Sequence, residues 1–382
     1  MPPPPPSLVE ELVEEILLRT PPDEPERFVH AALVCKAWCR LVSDPGFRRR
    51  FCERHRSRVP VLGVLRSISK RSDVMTTHFI PTCSFRPRRD ALRRWRAIDC
   101  RHGRVLLLSE RGESTSKRWY LALAVWDPIT GNQRNLPWVP RTDGTWRAAV
   151  LCAAAAGECD HLYCHRGPFL VVVVGTHRDG MISAYAYSSE SDAWSEPTFA
   201  QHQICLSEEG RAAHAGNALY FKCDYGHDHH NSGILAYDLA TRKMTTIDPQ
   251  PMSSWHTELL MTAEGGGLGS AVVRGSQLYL WSRETTGSHG DMRWMQKRVV
   301  DLKMLIPATR FKVKQVTSAD DNGVVYVGTN RGCFFVDLKT GWLREVLGLN
   351  STDNIIPYMS FYTPGTSYSA YLIRISTGAN MS

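Results

Sequence analysis

Five side chains able to ligate a metal, Cys152, Cys159, His161, Cys164 and His165, fall within fourteen residues of this 382-residue chain. Thiolate and imidazole are the donors zinc prefers, but zinc sites legible in a sequence carry close pairs such as C-x-x-C, and no such pair is present here. With Leu162 and Tyr163 inside the group, the segment reads as a strand edge, and no metal is expected. A second group, Cys223, Asp224, His227, Asp228, His229 and His230, sits beside Gly226 and Asn231. Adjacent histidines in such company read as a solvated hairpin tip, open at most to opportunistic metal binding. Gly265-Gly266-Gly267-Leu268-Gly269 invites a phosphate-loop reading. It lacks the following Lys-Ser/Thr, and Val272 stands where a G-x-G-x-x-G count from Gly267 needs its third glycine. An inter-strand loop accounts for it. Serine, histidine and aspartate are plentiful, yet no G-x-S-x-G elbow nominates a nucleophile. The residues therefore predict neither a catalytic centre nor a cofactor.

Arginine is the more informative residue. The formal net charge is +8, carried by 36 Arg against 10 Lys. Between Arg86 and Arg104 the chain places Arg88, Arg89, Arg93, Arg94 and Arg96 around Trp95, with Arg101 and Arg104 following. Clustered guanidinium groups beside an aromatic ring can hold phosphate or stack on bases. They can equally grip an acidic or phosphorylated protein segment. A solvated loop between strands has the same composition. Arg88, Arg89, Arg93, Arg94, Trp95 and Arg96 are the candidate target-binding residues.

The elements that must carry these residues are of two kinds. Near the N-terminus the apolar period is helical. Ser7 and Glu10 stand at capping-box spacing, and Leu8, Leu12, Val13, Ile16 and Leu17 make one apolar stripe, with Glu10, Glu11, Glu14 and Glu15 on the other face. Pro21 and Pro22 end this helix. Asp23 is placed to cap a second, whose apolar side is Phe28, Val29, Ala32, Leu33 and Val34. A third set follows in Val34, Trp38, Leu41 and Val42. Asp44-Pro45-Gly46 reads as a turn, and a short basic helix runs from Phe47 to about His55. So little apolar surface is marginal alone and gains from docking.

From Val59 onward the runs are short, aliphatic or aromatic, and bounded by Gly, Asp, Asn and Ser: Val61–Leu65, Val105–Leu108, Leu121–Trp126, Leu170–Val174, Leu219–Lys222, Leu278–Trp281 and Val324–Val327. No long amphipathic helix intervenes, so the fold class expected is a small all-α unit followed by an all-β domain. Segments 124–137, 184–197, 235–248 and 334–347 share one form, an apolar strand, a polar turn and a second strand. Their anchors are Trp126, Tyr187, Tyr237 and Val336. The spacing is near fifty residues once a weaker unit at 278–302 is counted. This period suits a β-propeller of about six blades. Five or seven blades, or a β-sandwich, are the alternatives.

Residues 8–47, LVEELVEEILLRTPPDEPERFVHAALVCKAWCRLVSDPGF, resemble the F-box motif, especially its plant versions. The carriers are Arg19 with Pro21, then Leu33-Val34-Cys35-Lys36 with Trp38, then Asp44-Pro45 with Phe47. Two positions depart from that pattern: Val9 stands where the family has proline, and Thr20 where it has leucine. Segments 55–65, 99–108, 125–131 and 356–365 further resemble the carboxyl-terminal region of a large plant F-box group. The resemblance implies an F-box domain at 1–58 and a propeller-like F-box-associated domain at 59–382. It also implies a Skp-type adaptor as partner and, through it, a cullin. The adaptor contacts carried over are Leu8, Leu12, Ile16, Leu17, Pro21, Val34, Cys35, Trp38 and Leu41. The function implied is that of a non-catalytic substrate receptor in a Skp–cullin–F-box ubiquitin ligase, with an unknown protein target. An RNA- or phosphate-binding protein using the arginines, and a propeller enzyme with a helical cap, stay open.

A proline run at Met1–Pro6 does not read as a signal peptide, and no apolar run is long enough to span a bilayer. Eleven cysteines without repeating spacing read as free thiols of an intracellular protein, cytoplasmic or nuclear.

Overall fold

The computed structural model describes residues 9–364 other than 70–74, 90, 110–113, 116–117, 141–142, 155–158, 163, 208–209, 226–231, 254–257, 287–290, 308–309, 320–322, 347–348 and 350–353. Four helices come first: α1 (Glu10–Leu18), α2 (Glu26–Val34), α3 (Lys36–Ser43) and α4 (Pro45–Arg54). The expected capping box has its Ser7 outside the described residues. The N-cap position is Val9, whose side chain offers no hydrogen bond. Asp23 does not cap α2, which is entered from Pro25; Asp23 instead lies 3.9 Å from Arg58. Asp44-Pro45-Gly46, expected as a turn, is the start of α4. Asp44 Oδ1 accepts from the Phe47 N–H at 2.8 Å, and Pro45 occupies the first turn, where no N–H is needed.

The single apolar stripe expected on α1 is two stripes. Val13, Leu17 and Leu18 are buried against Phe28, Phe47 and Phe51, whereas Val9, Leu12 and Ile16 face outward. The three rings stack edge-on or parallel, with centroids 4.8–6.4 Å apart. Phe51 also meets Phe361, from the far end of the chain, at 5.9 Å. The acidic face of α1 is held by α4, through Glu14–Arg50 and through Glu15–Arg54 at 3.3 Å.

The rest is six antiparallel sheets in a ring. Blade 1 runs, from inside outward, Asn354–Met359, Val61–Ser69, Met75–Pro81 and Ala91–Arg93. Blade 2 has Trp95–Arg101, Arg104–Ser109, Arg118–Trp126 and Gln133–Asn135, and blade 3 has Trp146–Cys152, Phe169–Thr176, Met181–Ser188 and Ala193–Trp194. Blade 4 splits its inner strand into Ile204–Leu206 and Ala213–Ala215, then adds Ala218–Tyr225, Ser232–Asp238 and Met244–Ile247. Blades 5 and 6 occupy 258–301 and 313–346. Inner strands touch those of neighbouring blades around the ring. Closure comes from the chain itself. Its last described strand pairs Leu65 with Ile356 and Val64 with Pro357, so the innermost strand of blade 1 arrives nearly three hundred residues after its neighbour.

The four repeat anchors, Trp126, Tyr187, Tyr237 and Val336, are all buried. Each is the last or next-to-last residue of a third strand, and in three of the blades the turn that follows is built on an aspartate. Asp127 Oδ1 accepts from the N–H groups of Ile129 and Thr130 at 2.8 and 3.2 Å. Asp238 does the same for Ala240 and Thr241, and Asp337 for Lys339 and Thr340. An aspartate that mimics a turn of backbone is what makes the repeat legible. Of the run expected as an inter-strand loop, Gly265–Gly267 lie in the connection after Glu258–Thr262, while Leu268 and Gly269 begin the strand Leu268–Arg274.

The propeller axis is crossed by an ion triad. Asp99, on the inner strand of blade 2, accepts from Arg101 at 2.8 Å and from Arg211 of blade 4 at 2.8 Å. It also accepts from the Val150 N–H of blade 3 at 2.9 Å. Arg211 reaches on to the Ser318 carbonyl of blade 6 at 3.2 Å. All three charged groups are buried or nearly so, so four blades are tied at the centre by groups that can be buried only as a set.

Candidate functional site

The helical unit carries an exposed apolar face. Among the described residues, twelve large hydrophobic side chains are exposed, and five of them, Val9, Leu12, Ile16, Leu33 and Val34, belong to the first 34 residues. Leu12 is 55% exposed, Ile16 57% and Val34 63%. Val9, Leu12 and Ile16 recur at i, i+3 and i+7 and so share one face of α1. Leu33 and Val34 end α2, and the exposed Cys35 follows.

The expected adaptor contacts therefore separate. Leu12, Ile16, Val34 and Cys35 are at the surface, and Pro21 is half-buried. Leu17, only 7% exposed, is a core residue of the helical unit. Trp38 and Leu41 pack partly against that core. Leu8 lies outside the described residues. Val9 is an exposed residue that the sequence pattern does not single out as a contact, and Leu33, a motif residue for which contact and internal packing are equally open in the sequence, is exposed. The signal for Val9 is its place one turn before Leu12, which a stripe counted from Leu8 passes over.

Strand direction places the helices. Because each blade is antiparallel, its first and third strands finish at one end of the blade and its second and fourth at the other. The helical unit sits on the first end. Glu26 accepts from the Ser84 hydroxyl at 2.5 Å in the third-to-fourth connection of blade 1, a bond that holds its carboxyl below the usual range. Buried Arg48 donates to the Pro364 carbonyl at 2.9 Å, and Val29 packs against the core shared by blades 1 and 2.

The arginine cluster does not form one patch. Arg88 and Arg89 are exposed near the helix-bearing end, where Gly131 of blade 2 approaches Arg88. Arg93, Arg94, Trp95 and Arg96 lie at the opposite end, where the chain crosses from blade 1 to blade 2 and Arg94 turns through φ 69°. Arg93 is exposed, Arg94 and Arg96 are half-buried, and Trp95 packs on the core between the two blades. Arg101 and Arg104 are interior. A strand intervenes between groups the sequence set side by side.

At the helix-bearing end, a groove of 840 Å³ opens between blades 2 and 3. Its walls include Arg88, Asp127, Arg134, His165, Arg166 and Phe169. Arg134 lies over the rings of Phe169 and Tyr187, at 5.9 and 5.8 Å from their centroids, and pairs with Asp192 at 3.0 Å.

Folding also gathers side chains that spacing left unpaired. One donor atom each from Cys152, Cys159, His161 and Cys164 lies within 4.8 Å of all the others. Leu162 is on a bend ahead of the short turn Cys164–Arg166, not on a strand edge, and Tyr163 is outside the described residues. His165 is not in this set and is buried beside the groove. Of the second group, Cys223 and Asp224 are buried in a blade 4 strand, and residues 227–230 lie outside the described residues.

Among the described residues, no helix is long and apolar enough to cross a membrane. No curated protein matches the chain. Among solved structures, the chain is similar to the β-propeller domain of the Trilobed protease from Pyrococcus furiosus, at 9% identity over 74% of this chain and 78% of that one, with a TM-score of 0.35. It is also similar to the periplasmic gluconolactonase of Pseudomonas aeruginosa, at 13% identity over 74% of this chain and 81% of that one, with a TM-score of 0.40. Residues 6–50 match the F-box domain family. The chain thus carries an F-box domain ahead of a six-bladed propeller-like region.

Proposed function

We propose that this chain is the substrate-receptor subunit of a Skp–cullin–F-box ubiquitin ligase. In this reading the outward face of α1 and the end of α2 dock a Skp-type adaptor, which connects the chain to a cullin. The observation that carries it is the concentration of exposed apolar side chains in the F-box, at Val9, Leu12, Ile16, Leu33 and Val34. Exposed apolar surface of this kind marks an interaction site. Ubiquitin transfer belongs to other subunits, and this chain contributes position. The target face is the end of the propeller away from the helices, where Arg93, Arg94 and Arg96 surround Trp95 and suit an acidic protein segment.

The test is adaptor binding by the full-length chain, measured by titration calorimetry. Wild type should bind at micromolar concentration or tighter. Leu12→Asp with Ile16→Asp should weaken binding by about 2 kcal/mol or more without lowering the melting temperature, because both side chains already face water. Absence of wild-type binding at micromolar concentration sinks the proposal.

A further inference from the structure

We propose that Cys152, Cys159, His161 and Cys164 form a structural zinc site. Three sulfurs and one imidazole nitrogen are a donor set that selects zinc, closed to substrate and tetrahedral. Zinc–sulfur bonds of about 2.3 Å and zinc–nitrogen bonds of about 2.0 Å place tetrahedral ligands about 3.5–3.8 Å apart. Cys164 Sγ and His161 Nδ1 are already 3.7 Å apart. The other pairs lie within 4.8 Å, so the cluster needs to contract by no more than about 1 Å to reach those bond lengths.

The surroundings fit a bound ion. His161 adopts φ 56°, and its ring lies flat on His102 of the neighbouring blade, with centroids 4.0 Å apart and planes 3° apart. The ligand is thereby held at a fixed orientation, as metal-bound histidines generally are. The His161 N–H points to Cys159 Sγ at 3.3 Å, a donor suited to a thiolate. Binding would release three thiol protons and leave three thiolates and a neutral imidazole on Zn²⁺, for one net negative charge. Buried Arg104 lies beside this charge, donating to the carbonyls of Cys164 and Gly167.

The site has a place in the architecture. Its ligands come from the end of Trp146–Cys152 and from the connection leading to Phe169–Thr176. The corresponding connection in blade 2 is the turn at His102 and Gly103. The blade 3 connection is much longer than that turn, and a metal bound there would add order to it. Leu162, between two of the ligands, packs into the helical core with Phe51, Val59 and Phe361. Zinc would therefore pin the surface on which the helices stand. The metal itself does not depend on the receptor reading; only the consequence for adaptor geometry rests on it.

The full-length chain, purified with a thiol reductant and no chelator, should contain equimolar zinc by mass spectrometry. Cys152→Ser with Cys164→Ser should lose it, while Cys205→Ser and Cys333→Ser, outside the cluster, should keep it. If the ligand variant does not fold, wild type stripped of metal and titrated with Co²⁺ provides the reading. It should take up equimolar cobalt, with the intense visible bands of a tetrahedral thiolate complex, and zinc should erase them. Wild type that neither carries zinc nor gives that spectrum overturns the site. So does zinc retained undiminished by a folded ligand variant, or a disulfide within the cluster under reducing conditions. Adaptor binding, measured on the same samples, distinguishes failure of this site from failure of the receptor reading.

Discussion

Two cysteines of the helical unit show how a single residue's role depends on where the fold places it. Cys35 is exposed between α2 and α3, whereas Cys52 is buried on α4 and desolvation pushes its thiol up to about 12. The thiolate is the reactive form, so Cys52 is protected twice, by lack of access and by lack of ionisation. Iodoacetamide at neutral pH should label Cys35 and spare Cys52 in the folded chain, read by peptide mass spectrometry. Adaptor binding should then protect Cys35. Labelling of Cys35 at an unchanged rate in the complex would remove it from the interface. Leu17 makes the same point in reverse. It belongs to the apolar pattern of α1 as fully as Ile16, yet only Ile16 reaches the surface, because adjacent helix positions diverge by about 100°.

Among the elements, the third-to-fourth-strand hairpins account for the repeat. Asp127, Asp238 and Asp337 each cap a turn, and Gly131, Arg242 and Gly341 follow at φ 76°, 57° and 72°. An arginine in the left-handed region where the other turns use glycine hides the kinship of blade 4 with blades 2 and 6 from a glycine-based search. The Thr241 N–H, then its hydroxyl, hold the Asp238 carboxyl below the usual aspartate range. The sign follows from the lowered value. The stabilisation is fully present above about pH 4, the unfolded value, and is lost as pH falls through the lower folded one. Asp238→Ala should cost about 1 kcal/mol at neutral pH, the scale of a lost side-chain cap, and progressively less in acid. Denaturant melts at a series of pH values measure this, and a cost that grows in acid contradicts the turn's role.

Two contacts decide how the whole molecule holds together. At the axis, the Asp99 carboxylate binds both Arg101 and Arg211. Removing it takes the carboxylate away from two buried cations, and Asp99→Ala should cost about 3–5 kcal/mol, visible as a lower melting temperature of the entire propeller. A change confined to one blade would mean the triad does not tie the ring. At the junction, Phe361 follows the closing strand and packs on Phe51 of α4. Phe361→Ala should cost about 3–5 kcal/mol and loosen the helices from the propeller, raising hydrogen exchange in α4 before the blades. Ring closure and part of the helix docking thus share one segment, the closing strand and the residues that follow it.

Local chemistry was legible from the sequence wherever neighbours in the chain are neighbours in space. The helices of the F-box, the blade hairpins and the buried anchors Trp126, Tyr187, Tyr237 and Val336 all follow from periods of 3.6 and 2 and from turn-forming aspartates. The arginine cluster misled for the converse reason. Adjacent residues in a strand and its flanking loops are carried to opposite ends of a blade, so closeness in sequence does not make a patch. The Asp99 triad unites residues more than one hundred positions apart, and the closing strand pairs residues nearly three hundred apart. No local pattern encodes either, because each is created only when the ring closes. The cysteines and His161 stand between these cases. They are near in sequence, but their spacing has no regular form, and it is the fold of the blade 3 connection that turns four scattered donors into one cluster.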